Sequence, residues 1–109
     1  MNRIRYVVLT LALAGFVNAD AEQMTIREIL TGYQQGSFSA EQVVRDYLAV
    51  IDRHEAELNA FTFLNPDAIA DAREIDRRRA AGESLGPLAG VPLVIKESMD
   101  VVGYPSTMG

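Results

Sequence analysis

Lys96 is the only lysine in the chain, and it directly follows the apolar triplet Leu93-Val94-Ile95. A lysine at the end of a buried strand is partly desolvated, which favours its neutral amine. A neutral amine can take the proton of a serine hydroxyl and so act as a general base. The plainer reading is a lysine whose stem lies on apolar surface while its ammonium reaches water or pairs with Glu97 or Asp100. The residues alone leave both readings open. His54 is the only histidine, so a Ser-His-Asp triad would have to use it. It follows Ile51 by three residues in a helical pattern and reads as a helix-surface side chain beside a packed seam. Arg77-Arg78-Arg79 ends another helical pattern, where cations complement the negative end of the helix dipole. A solvated face is the plain reading of that run and an anion site the sharper one. The absence of cysteine excludes thiolate chemistry and a disulfide framework. No H-E-x-x-H, Walker loop or dinucleotide fingerprint occurs, so neither a metal nor a cofactor is expected.

These side chains depend on the elements that carry them. Thr25-Ile26-Arg27-Glu28 has the form of a capping box and predicts a helix start. Ile26, Ile29, Leu30 and Tyr33 follow at helical spacing, and Gly36 can close the helix in a left-handed conformation. Ser39-Ala40-Glu41-Gln42 is a second capping box. Behind it Val44, Tyr47, Leu48, Ile51 and Leu58 form one apolar stripe, widened by Val43 and Val50, which predicts a helix from about 40 to 57. Phe61 to Leu64 reads as a short strand. Asn65-Pro66-Asp67 predicts a third helix, with Asn65 at the N-cap and Pro66 in the first helical position. Its small alanines would let it lie close to a neighbour.

Beyond Gly82 the chain changes character. Gly82, Gly86, Pro87, Gly90 and Pro92 mark a loop. The glycines keep the spacing of a membrane-helix dimer motif, but Glu83, Pro87 and Pro92 interrupt any apolar helix. Leu93 to Ile95 then reads as a buried strand. Such a strand needs neighbours to pair its backbone groups, and a two-stranded ribbon with Phe61 to Leu64 is marginal in water. The sheet that would receive it is expected to lie outside these residues.

The start of the chain has a composition of its own. Arg3 and Arg5 precede an uncharged apolar run from Val7 to Val17, and Asn18-Ala19-Asp20-Ala21 follows. That is the layout of a secretory signal peptide over residues 1–21, with cleavage after Ala21 fitting best and after Ala19 nearly as well. The apolar run would reach only about 16 Å as a helix, against a hydrocarbon core of about 30 Å, so no stable membrane span is expected. The expected location is therefore the periplasm or the exterior. The whole chain carries a net charge of −5 over 109 residues. Losing Arg3, Arg5 and Asp20 leaves it more acidic still. This balance argues against a nucleic-acid partner, which needs clustered Lys and Arg.

Gly86-Pro87-Leu88-Ala89-Gly90-Val91-Pro92-Leu93-Val94-Ile95-Lys96-Glu97 resembles the lysine motif of the amidase signature family, and Met99 to Gly109 resembles its sequel. Gly36-x-x-Ser39, Leu58-Asn59-Ala60-Phe61 and the alanines leading to Asp76 and Gly82 agree in order, so the resemblance covers Thr25 to Gly109. It implies an α/β fold around a large mixed sheet, with residues 22–109 as its N-terminal part. It further implies hydrolysis of amide carbon–nitrogen bonds in a small-molecule or peptide substrate by a Ser–cis-Ser–Lys triad. Lys96 matches the lysine that takes a proton through the bridging serine. None of Ser37, Ser39, Ser84, Ser98 or Ser106 matches either serine; the resemblance places both in a Gly/Ser-rich segment after Gly109. These residues on their own are therefore expected to be inactive. Two positions depart from the pattern. Glu97 stands where the family usually has Asp, conserving charge but not reach, and Ala89 often has His as its counterpart. The amidotransferase component that amidates mischarged tRNA shares the motif, but its work is cytosolic and a signal peptide argues against it. The non-enzymatic alternative, an exported helical module or the product of a decayed gene, leaves the lysine block unexplained.

Overall fold

The computed structural model describes residues 24–107. The proposed signal peptide, residues 1–21, lies outside them. Three helices carry the fold: α1 (Ile26–Gln35), α2 (Ala40–Leu58) and α3 (Ala68–Ala80).

The first two helices start where their capping boxes predict. The Thr25 hydroxyl accepts from the Glu28 N–H at 3.2 Å, and the Glu28 carboxylate accepts from the Thr25 N–H at 2.7 Å. Gly36, at φ 67°, ends α1, and the Ser37 N–H closes back on the Gly32 carbonyl at 2.9 Å. A left-handed residue at this point costs a glycine nothing. The start of α2 has every orphan donor satisfied. Ser39 Oγ accepts from Gln42, the Ser39 carbonyl accepts from Val43, and Asp76 of α3 takes the N–H groups of Ala40 and Glu41, both at 2.9 Å. One carboxylate thus caps α2 and docks α3 against it.

The third helix begins later than expected. Asn65 Oδ1 accepts from the Asp67 N–H at 2.9 Å and Asn65 Nδ2 donates to Asp71 Oδ2 at 2.9 Å, which folds Asn65-Pro66-Asp67 into a turn. Asp67 then occupies the N-cap position without a side-chain cap bond. A short amide side chain competes for the local backbone in this way.

Ile29, Tyr33, Ala40, Val43, Val44 and Ala72 form the buried core. Ala72 lets α3 approach α2 closely, as its size predicts. The apolar stripe of α2 divides in two. Val43 is 1% exposed, Tyr47 and Leu48 pack at the margin, and Leu58 at the far end is 67% exposed. Burial along the stripe thins from Val43 and Val44 through the partly buried Ile51 to the exposed Leu58.

Neither expected strand forms, so the described residues are helical with irregular connections and show no part of the α/β sheet. Phe61 to Leu64 and Leu93 to Ile95 run without ladder partners. A strand forms only where a neighbouring strand pairs its backbone in a ladder, and the described residues place none beside either segment.

Glu41 ties α2 to α3 on the surface. Its carboxylate accepts from Arg73 at 2.8 Å and 3.0 Å and from Arg45 at the same two distances. The hydrogen bonds from Arg73, then Arg45, hold its pKa down to about 2, from the ordinary 4.5. A depressed carboxyl stabilises the folded state above its unfolded pKa and loses that contribution as pH falls through the folded one. The thermal midpoint difference between wild type and Glu41→Gln is therefore expected to be constant above pH 4.5 and to vanish towards about pH 2. Midpoints measured across that range check it. The effect is small, because water and salt screen an ion pair on the surface.

Candidate active site

The approach to Lys96 is built as two consecutive turns. The Ala89 N–H donates to the Gly86 carbonyl and the Val91 N–H to the Leu88 carbonyl, each at 3.0 Å. Gly90 is the third residue of the second turn, at φ 85°. Two helices hold the second turn. Tyr33 of α1 donates its hydroxyl to the Gly90 carbonyl at 2.7 Å, and Arg79 of α3 donates Nη2 to the Ala89 carbonyl at 2.9 Å. The Arg79 guanidinium lies 4.5 Å above the Tyr33 ring and also donates to Asp76 at 3.1 Å. Phe38 meets the same ring edge-on at 5.7 Å, in space that Gly32 leaves free. Burial pushes the Tyr33 hydroxyl up to about 12, against a partial lowering by Arg79. It therefore stays a donor throughout the neutral range.

Past Pro92 the chain leaves this support. Leu93, Val94 and Ile95 are 68%, 77% and 48% exposed, where the sequence predicts burial. Lys96 is exposed as well, so the desolvation expected of it is not supplied by the described residues. None of them forms a hydrogen bond or ion pair with its amine. Glu97, one of its two expected alternative partners, turns to Thr107 instead. It accepts from the Thr107 N–H at 2.8 Å and also from the Thr107 hydroxyl. Glu97 thus closes the loop after Lys96.

Lys96 lines an open groove of about 750 Å³ between residues 60–65 and 93–105. Phe61, Phe63, Ile95, Met99 and Tyr104 give it an apolar wall, and Lys96 is its only cationic side chain. Glu55 shapes the opposite side by accepting from the N–H groups of Ala60 and Phe61 at 3.1 Å and 2.9 Å. The groove can hold an apolar group beside a primary amine. Thr62 and Asn65 add neutral polar side chains to its wall.

The remaining candidates fall elsewhere. His54 is exposed on α2, as its position in the helical pattern predicts. Arg77, Arg78 and Arg79 each pair with a carboxylate, of Glu74, Glu83 and Asp76 respectively. That pairing leaves little for an anion site. Ser39 is used in its cap, and Ser37, Ser84, Ser98 and Ser106 stand outside the groove lining. Among the described residues no group of three or more His, Asp or Glu side chains could hold a metal ion, and no helix is long and apolar enough to cross a membrane. Sequence reasoning missed Tyr33, Asp76 and Arg79 as supports of the lysine loop. The Asp76-x-x-Arg79 spacing on one helix face was the only local signal.

The family model described as Amidase matches residues 42–109. The chain is 39% identical over 93 residues to the A-type component of the glutamyl-tRNA(Gln) amidotransferase of Streptomyces avermitilis, covering 84% of this chain and 19% of that protein. It is 42% identical over 89 residues to the protein of the same name from Synechococcus, covering 81% and 18%. AmiA2 of Mycobacterium bovis, named as an amidase, is 36% identical over 99 residues, covering 88% and 20%. The chain thus spans about a fifth of the length of these relatives. No solved structure matches it.

Proposed function

The chain belongs to the amidase family, and on that premise we propose that it serves an exported hydrolase of amide carbon–nitrogen bonds, with Lys96 as the base. The observation that carries the proposal is the Gly86–Glu97 block. It lies inside the matched region, and its lysine, the only one in the chain, faces an apolar groove. In this reading the Lys96 amine accepts the proton of a nucleophilic serine through a bridging serine. The serine oxygen attacks the amide carbon, the leaving amine takes up a proton as the carbon–nitrogen bond breaks, and water then releases the acid. No serine of these residues is assigned to either position. The substrate class is a small-molecule or peptide amide with an apolar acyl group.

Export rests on the three-part composition of residues 1–21. A second reading, a component that amidates aminoacyl-tRNA, is favoured by the names of two of the relatives above. The acidic balance and the N-terminal pattern favour the hydrolase. The intact protein, expressed in a bacterial host, is expected to release ammonia from a simple aromatic amide without tRNA. Ammonia release that requires tRNA would favour the second reading. Mass spectrometry is expected to find the mature N-terminus at Glu22, from cleavage after Ala21, or at Asp20, from cleavage after Ala19. Intact Met1 on a soluble cytosolic product would refute export.

A further inference from the structure

We infer that Tyr33 and Arg79 are positioning residues for Lys96, fixing the direction in which its segment leaves the helical core. The inference rests on the amidase reading for its catalytic consequence, and on geometry for the rest. Ala89 and Gly90 present successive carbonyls, and two different helices capture them, α3 through Arg79 and α1 through Tyr33. Holding both carbonyls fixes the orientation of the peptide between them. The two captors are themselves locked together, the guanidinium on the phenol ring and on Asp76, which also caps α2. Gly90 has no slack on its other side, where Ala40, Arg79 and Ile75 stand against the position a Cβ would take.

Beyond this clamp the six residues to Lys96 reach at most about 20 Å, so a swing of roughly 10° at Gly90 moves Lys96 by up to about 3.5 Å. A displacement of about 1 Å in a reacting group can cost about 10²-fold in rate. Neither Tyr33 nor Arg79 lines the Lys96 groove, so both act through the loop rather than on substrate.

The test compares Tyr33→Phe, Arg79→Lys and Lys96→Ala in the intact protein. Tyr33→Phe keeps the ring but removes the donor to Gly90. Arg79→Lys keeps the charge but cannot serve Asp76, the Ala89 carbonyl and the ring face with one planar fork. Hydrogen exchange, read by mass spectrometry, is expected to rise about tenfold in a peptide covering 88–96 and to stay unchanged in one covering α2, as local opening does. The kcat on a simple aromatic amide is expected to fall about tenfold or more, with KM within about twofold, since geometry at the reacting centre is lost rather than substrate affinity. Unchanged exchange in 88–96 together with unchanged kcat overturns the inference. So does a loss of kcat matched by loosening of α2, which marks general destabilisation. Lys96→Ala separates the two readings. Turnover that survives it removes the lysine mechanism and, with it, the catalytic role given to Tyr33 and Arg79. Turnover that it abolishes while both other variants stay at wild-type values removes the positioning role alone.

Discussion

Replacing Gly90 by valine is expected to lower the free energy of unfolding by about 4 kcal/mol, from backbone strain of about 1–3 and overpacking of about 1–3 kcal/mol. Gly90 lies at φ 85°, a conformation that a β-branched residue rarely adopts. A Cβ there would stand 3.0 Å from Ala40 Cβ and 3.3 Å from both Arg79 Nη2 and Ile75 Cγ2. Ala40 has no room to retreat: it is 0% exposed, and its N–H is bound to Asp76. Gly90→Ala should show the smaller part of the effect, and adding Ala40→Gly should recover the contact but not the backbone strain. Gly86 provides the control, since nothing lies within 4 Å of its Cβ position and its φ is not positive. Urea unfolding of these variants measures the differences. A Gly90→Val protein within about 1 kcal/mol of wild type, the ordinary effect of a point mutation, would contradict this packing of the loop.

The parts of this fold that are legible in the sequence are those decided within a few residues. Thr25 with Glu28, and Ser39 with Gln42, announce two helices because each capping box closes over three residues. Asn65 misled for the same local reason: its amide had two nearby choices, and it folded a turn with Asp67 instead of capping a helix at Pro66. The Leu93–Ile95 and Phe61–Leu64 segments have strand composition, yet a strand exists only beside another strand, and propensity cannot supply one. The lysine block is legible because glycine and proline frame it locally. Its supports are not. Tyr33 and Gly90 are 57 residues apart, and Asp76 reaches back 36 residues to Ala40. No periodicity in one chain encodes such pairings.

Lys96→Ala is expected to lower kcat by at least about 10²-fold, the lower end of what a general base contributes. In the proposed mechanism this substitution removes the amine that accepts the serine proton, while the apolar wall of Phe61, Phe63 and Tyr104 beside it is intact. KM should therefore change much less than kcat. Because Lys96 is exposed and unpaired among the described residues, its removal should leave the thermal midpoint close to wild type. Lys96→Arg separates proton transfer from charge. A guanidinium keeps the positive charge and the long stem but stays protonated, so it cannot take a proton from serine. The decisive measurement is the kcat of Lys96→Arg in the intact protein, on a simple aromatic amide, beside wild type and Lys96→Ala. A value near that of Lys96→Ala is expected if Lys96 is the base. Near-wild-type turnover would show that it is not, and would contradict the proposed mechanism.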